Sequence, residues 1–204
     1  MSKTLGRRER KKLETRQRIV DCAVGLFAGG GYDSTSIEDI AECADVARAT
    51  VFNYFSRKED LVLAWFDRRR ADLAKILAEG EKHASDTSSR LQHALRAIAR
   101  LYDDNPRKGR AMVRAWLQAG GPLLTPESET SHLFANTIRS GQQQGDIRPD
   151  IDADRAGQVL FDAYLGVLYR WMNDEDGQFG FEENLLAMLD VLLAGIAGTT
   201  SAAP

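Results

Sequence analysis

The stretch Thr35-Ser36-Ile37-Glu38-Asp39-Ile40-Ala41-Glu42-Cys43-Ala44-Asp45-Val46-Ala47-Arg48-Ala49-Thr50-Val51-Phe52-Asn53-Tyr54-Phe55 decides how this chain is read. Thr35-Ser36-Ile37-Glu38 has the form of a capping box, in which a hydroxyl and a carboxylate satisfy the orphan amides at a helix start. A short helix follows to about Cys43. Ala44-Asp45-Val46 breaks it, and Asp45 stands where it would cap a second short helix from about Ala47 to Tyr54. Ile37, Ile40, Ala41, Ala44, Val46, Val51 and Phe55 are spaced to form a small core between the two. The polar face of the second helix then carries Arg48, Thr50, Asn53 and Tyr54, types that hydrogen-bond to base edges or phosphates in a major groove. A short helix, a tight turn and a second short helix are the parts of a helix-turn-helix. Short capped helices also occur in any helical domain, so the pattern by itself leaves both readings open.

The flanking sequence is helical too. From about Arg7 to Ala28 the residues Ile19, Cys22, Ala23, Leu26 and Phe27 fall on one helix face, and Gly29-Gly30-Gly31 stops it. The triplet is not a phosphate-binding loop, which needs a preceding strand and a Gly-Lys-Ser/Thr ending. Ser56-Arg57-Lys58-Glu59 reads as another capping box opening a long helix, about 57–82, that joins two domains. Later helix starts are marked by Asp86, Asn105-Pro106, Thr125-Pro126 and Asp152. Five more helices are predicted near 87–103, 106–119, 126–143, 153–173 and 181–197. Gly120-Gly121-Pro122 and Gly145-Asp146-Ile147-Arg148-Pro149 form loops. No segment shows strand alternation. The expected fold is all-α with about nine helices: a helix-turn-helix domain over 1–56 with a basic arm, a larger helical domain over 57–198, and a disordered tail over 199–204.

The 204 residues are 43% hydrophobic and 28% charged, the composition of an ordinary globular protein and not of a fibre or a disordered chain. Charge is divided unevenly. Residues 1–20 carry eight bases against two acids, whereas 59–204 carry 16 bases against 22 acids. A basic end on an acidic body fits a polyanion met by that end alone, or a solvated tail. Cys22 and Cys43 cannot build a disulfide framework, and no signal segment is evident, so a reduced, cytoplasmic protein is expected. The longest apolar stretch, Leu185 to Ala197, is interrupted by Asp190 and is too short to span a bilayer. No membrane partner is expected.

Thr35-Ser36-Ile37-Glu38-Asp39-Ile40-Ala41, then Ala44-Asp45-Val46-Ala47-Arg48-Ala49-Thr50-Val51-Phe52-Asn53-Tyr54-Phe55, then Lys58-Glu59-Asp60-Leu61 strongly resembles the TetR family of transcriptional regulators. The resemblance covers about residues 12–65. It implies a homodimeric regulator, a repressor released from a palindromic double-stranded DNA operator by a small molecule. It further implies that Ala47 to Tyr54 is the recognition helix, with Arg48, Ala49 and Asn53 nearest the bases and Thr50 and Tyr54 holding phosphates. Thr35, Ser36 and Lys58 would face the DNA backbone. Three positions depart from the common pattern: Asp45 stands where glycine is frequent, Ala47 where serine or threonine is, and Phe52 where tyrosine is. These bear on the operator sequence more than on DNA binding itself.

Beyond about residue 80 no signature is recognisable. Leu101, Met112, Trp116, Phe134, Phe161 and Tyr164 are the candidates for touching a partly apolar effector, because aromatic and Met side chains make adaptable apolar surfaces. The alternative is that they are plain core. The last two helices are apolar over wide arcs and contain Ala163, Gly166, Ala194 and Gly195. In the resembled family such helices pair across a dimer. No cofactor and no metal is expected: His83, His93 and His132 have no metal-binding spacing, and the two cysteines are read as core residues. The protein is not expected to be an enzyme; the competing reading is a helical small-molecule carrier or enzyme with an incidental basic end.

Overall fold

The computed structural model describes residues 6–80, 85–103, 105–120, 128–174 and 176–194. Among the described residues there are nine α-helices and no strand. They are α1 (Arg7–Gly30), α2 (Ile37–Cys43), α3 (Arg48–Tyr54), α4 (Glu59–Gly80), α5 (Thr87–Asp103), α6 (Pro106–Gln118), α7 (Glu129–Gln144), α8 (Ala153–Met172) and α9 (Phe181–Ala194). The expected caps at Asp86, Asn105 and Asp152 are in place. Their side chains accept from the amides of Ser89 at 2.8 Å, Lys108 at 3.0 Å and Arg155 at 3.0 Å. The Arg155 and Asp154 amides hold the Asp152 carboxyl below the usual range. Thr125-Pro126, Gly121-Pro122 and the 199–204 tail lie outside the described residues.

The chain divides into two compact units, with the cuts inside α4 after Asp72 and inside α5 before Tyr102. The first unit holds α1, α2, α3, most of α4, Tyr102 and α6. Its core is built from Ile19, Ala23 and Phe27 of α1, Ile40 and Ala41 of α2, Val51 of α3, and Leu61, Val62 and Trp65 of α4, all buried. Here α6 packs against α1. The Phe66 and Trp116 rings meet at 5.2 Å, and Gln118 Nε2 donates to Asp33 at 3.0 Å. Packing therefore groups α6 with the amino-terminal helices, although it follows them by about 50 residues.

The cysteines correct the sequence reading. Cys22 and Cys43 are joined by a disulfide with a Cα–Cα separation of 5.8 Å, and Cys43 is exposed while Cys22 is half-buried. They are bonded to each other in this structure, and neither is a buried core residue. Buried positions in α2 and its cap are Ile40, Ala41 and Ala44, which leaves Cys43 at the rim, where it meets the edge of α1.

In the second unit α7 and α8 pack very closely because Gly157 has no side chain. A Cβ there would lie 2.6 Å from the Ala135 backbone nitrogen and 2.7 Å from the Ser131 carbonyl oxygen. Phe134, Ala135 and Ile138 of α7 and Leu160, Phe161, Tyr164, Val167 and Leu168 of α8 are buried, while Trp171 stacks on Phe181 of α9 at 4.8 Å. The loop after α7 also caps α5: Asp146 accepts from the Thr87 amide at 2.6 Å and from its hydroxyl at 2.9 Å. The amide bond in particular lowers the Asp146 pKa.

Candidate nucleic-acid interface

The turn between α2 and α3 closes as a Schellman motif: Val46 N–H donates to the Ala41 carbonyl at 3.0 Å and Asp45 N–H to the Glu42 carbonyl at 3.1 Å. Such a turn needs a left-handed residue, and Asp45 supplies it with φ 50°. Asp tolerates this conformation better than most side chains because it is short and polar. Asp45 is thus the stop of α2 and not the cap of α3. The α3 N-cap is Ala47, which makes no side-chain cap bond.

The capping box at α2 is displaced by one residue from where the sequence pattern puts it, and at α4 only the carboxylate half of a box forms, also one residue on. At α2 the pair is Ser36 and Asp39: the Asp39 amide donates to Ser36 Oγ at 3.1 Å and the Ser36 amide donates to the Asp39 carboxylate at 2.8 Å. Bonds from Ser36 hold the Asp39 carboxyl below its usual range. Thr35 instead donates to the Gly31 carbonyl at 2.8 Å and is buried. At α4 the Arg57 amide donates to Asp60 at 2.9 Å, not to Glu59. In each case a second acid follows one residue after the expected one, and the shorter Asp closes the turn.

This shift frees Glu38, which forms an ion pair with Arg48 of α3 at 2.9 Å, both side chains being more than half exposed. Arg48 also lies over the Phe52 ring, 5.4 Å from its centroid. Ala49, Arg48, Asn53 and Phe52 are exposed on α3, with Thr50 and Tyr54 half-exposed and Val51 fully buried beneath them. The expected polar face is therefore open to a ligand. Exposed ion pairs contribute on the order of 1 kcal/mol or less, so Arg48 leaves Glu38 easily for a phosphate or a guanine edge. Glu38→Gln is expected to tighten binding to duplex DNA by about two- to fivefold, since it removes both the competing partner and one negative charge. Anisotropy titrations at fixed salt read the effect; weaker binding would mean that Glu38 assists Arg48.

Lys58 is placed differently from a free surface cation. Its Nζ donates to the carbonyls of Tyr32 at 2.8 Å and Thr35 at 3.2 Å and lies 4.1 Å from the centroid of the Tyr32 ring. It ties the α1–α2 loop to the start of α4. Burial and the neighbouring Glu59 carboxylate push the Tyr32 hydroxyl up to about 12, so the ring under Lys58 stays neutral. Sequence reasoning found Lys58 by its motif and missed this anchoring.

The effector candidates fall in both units. Met112 and Trp116 belong to the first; Leu101, Phe134, Phe161 and Tyr164 belong to the second. Phe134, Phe161, Tyr164 and Met112 are buried, and the Phe161 and Tyr164 rings lie 6.1 Å apart. The second unit also has a cavity of about 330 Å³ that those four do not line, bounded by Leu91, Ile138, Ile147, Leu160 and Leu192 with Asp152 and Arg155 at its edge. Among the described residues no group of His, Cys, Asp and Glu could hold a metal ion, and no helix is long and apolar enough to cross a membrane.

Three amino-terminal helices that contain a helix-turn-helix with an open polar recognition face define a DNA-binding protein. Residues 19–65 match the family model described as bacterial regulatory proteins, tetR family. The chain is 30% identical over 198 residues to the putative mycofactocin biosynthesis transcriptional regulator MftR of Mycobacterium tuberculosis, which covers 92% of this chain and 93% of that protein. It is 25% identical to the transcriptional repressor KstR of Rhodococcus jostii, over 88% of this chain and 83% of that one. Thermus thermophilus FadR, a TetR-family repressor solved in complex with lauroyl-CoA, superposes with a TM-score of 0.66 at 26% identity, covering 93% of this chain and 98% of that one. The chain belongs to the TetR family. It is a DNA-binding transcriptional regulator.

Proposed function

We propose that the chain represses transcription as a homodimer on a palindromic operator and is released by a fatty acyl thioester of coenzyme A. The observation that carries the DNA half is the exposed α3 face, with Arg48, Ala49 and Asn53 at the bases and Thr50, Tyr54, Ser36 and Lys58 toward the phosphates; Thr35, expected to join them, is buried with its hydroxyl on the Gly31 carbonyl and instead holds the loop before α2. Residues 1–56 act as the DNA-binding domain, with the basic arm adding phosphate contacts, and 57–198 as the effector and dimerisation domain. The acyl thioester is supported by the lauroyl-CoA bound to the Thermus FadR and by the apolar character of the candidates within the second unit, Leu101, Phe134, Phe161 and Tyr164. Action is by binding, not catalysis, and takes place in the cytoplasm.

Dimerisation through α8 and α9 is supported by Val159, Tyr169, Val191, Leu192 and Leu193, large apolar side chains left exposed on these two helices. An effector that binds one arrangement of the dimer better shifts the recognition helices away from the roughly 34–36 Å spacing of successive major grooves. α4 and α5 both run across the boundary between the compact units, which makes them the carriers of that shift.

Rounds of selection from random duplexes, followed by anisotropy at two salt concentrations, test the reading. Enrichment of a palindrome bound by two chains, with affinity falling steeply in salt, is the expected result. Lauroyl-CoA, but not coenzyme A alone, is expected to weaken that binding at least tenfold. Enrichment without any response to lauroyl-CoA would overturn the acyl thioester and leave the regulator standing; no enrichment would overturn the operator assignment.

A further inference from the structure

We propose that Cys22 and Cys43 form a reversible thiol–disulfide site through which hydroperoxides tighten the hold of the helix-turn-helix on DNA. The inference rests on the DNA-binding reading above for its consequence, but not for its chemistry. Three observations carry it. The two Cα atoms are 5.8 Å apart, inside the range that a disulfide spans without moving the backbone. The pair is accessible: Cys43 is exposed, Cys22 is half-buried, and both line an open groove of about 840 Å³. The groove is wide enough for a small neutral hydroperoxide, and its lining charges balance, Arg16 and Arg18 against Glu14 and Asp21. In a reducing compartment an accessible pair of this kind cycles between two states and is not a permanent staple.

The chemistry balances with the hydroperoxide as sole oxidant. The exposed Cys43 thiolate attacks the terminal peroxide oxygen and breaks the O–O bond. Sulfenic acid forms on Cys43, and the departing alkoxide takes a proton to become an alcohol. The Cys22 thiolate then attacks the Cys43 sulfur, the S–S bond forms, and hydroxide leaves as water after protonation. Two thiols are oxidised by two electrons, and one hydroperoxide is reduced. A dithiol reductant reverses the step by exchange.

The consequence follows from where the bond sits. Cys43 is the last residue of α2, next to the Ala44-Asp45-Val46 turn that aims α3, and Cys22 is on α1. The disulfide therefore fixes the helix-turn-helix to α1 in the arrangement that presents Arg48 and Asn53. With both residues as thiols, no covalent link ties the end of α2 to α1.

The test uses the full chain, reduced with dithiothreitol and then exposed to hydrogen peroxide at a few equivalents. Alkylation followed by peptide mass spectrometry is expected to show loss of both free thiols and a single Cys22–Cys43 linked peptide. In Cys22→Ser, peroxide is expected to leave a sulfenic acid on Cys43 that dimedone traps. Operator affinity is expected to rise at least threefold on oxidation of the native chain and to return on reduction, with Cys22→Ser and Cys43→Ser unresponsive. Linked peptides between chains, direct passage to sulfinic acid, or operator affinity equal in both states would each overturn the proposal. Failure to select any operator would instead strike the DNA-binding reading, since the linked peptide is measured without DNA.

Discussion

Gly157→Ala is expected to lower the melting temperature by about 5–10 °C. The added Cβ meets the Ala135 nitrogen at 2.6 Å, the Ser131 carbonyl oxygen at 2.7 Å and the Ala135 Cβ at 2.8 Å. All three belong to the α7 backbone or are fixed rigidly to it, so relief requires the two helices to part. Overpacking of that kind costs about 1–3 kcal/mol, and each kcal/mol shifts the midpoint by about 2–4 °C for a chain of this size. The comparison is Gly25→Ala, in the middle of α1, where nothing lies within 4 Å of the new Cβ. There the gain in helix propensity, on the order of 0.5–1 kcal/mol, is expected to raise the midpoint slightly. Differential scanning fluorimetry reads both. Equal shifts for the two variants would mean that α7 and α8 do not approach as closely as the structure places them.

The contrast between these glycines also marks what could be read from sequence. Helix existence was legible because periodic apolar residues, Asn105-Pro106 and Asp152 are local signals, and the helices at α1, α6 and α8 lie close to the predicted spans. The register of caps was not, because Thr35 with Glu38 and Ser36 with Asp39 both satisfy the pattern at α2, and at α4 the Arg57 amide turns to Asp60 although only Ser56 with Glu59 fits the pattern. The two-helix core was legible in outline: Ile40, Ala41, Ala44, Val51 and Phe55 are all buried, with Ile37 and Val46 only half-buried. The Cys22–Cys43 bond was hidden because pairing depends on how α1 meets the rim of α2, a tertiary fact. So was the grouping of α6 with α1, since a contact across about 90 residues leaves no trace in local periodicity. The recognition face was legible because exposure on a seven-residue helix follows from the burial of Val51 alone.

Lys58→Met is expected to lower both the stability of the amino-terminal unit and the affinity for every duplex alike. Two of the three ammonium protons are directed at the carbonyls of Tyr32 and Thr35, and the charge sits on the face of Tyr32. Methionine keeps the length of the side chain but leaves both carbonyls without that donor. Hydrogen bonds from a charged group contribute about 1.5–3 kcal/mol where burial is complete, and less at this half-exposed position. A fall of a few degrees in the melting temperature is expected. The third proton remains available for a phosphate, and a helix start is where an anion is favoured. If it is used, the slope of log affinity against log salt becomes shallower by about one on substitution. Base preference in the selected operator is expected to stay the same, in contrast to Arg48→Ala and Asn53→Ala, which relax it. A changed melting temperature with an unchanged salt slope would assign Lys58 wholly to anchoring the α1–α2 loop. A changed base preference would place its ammonium in the groove, against the geometry that holds it on Tyr32.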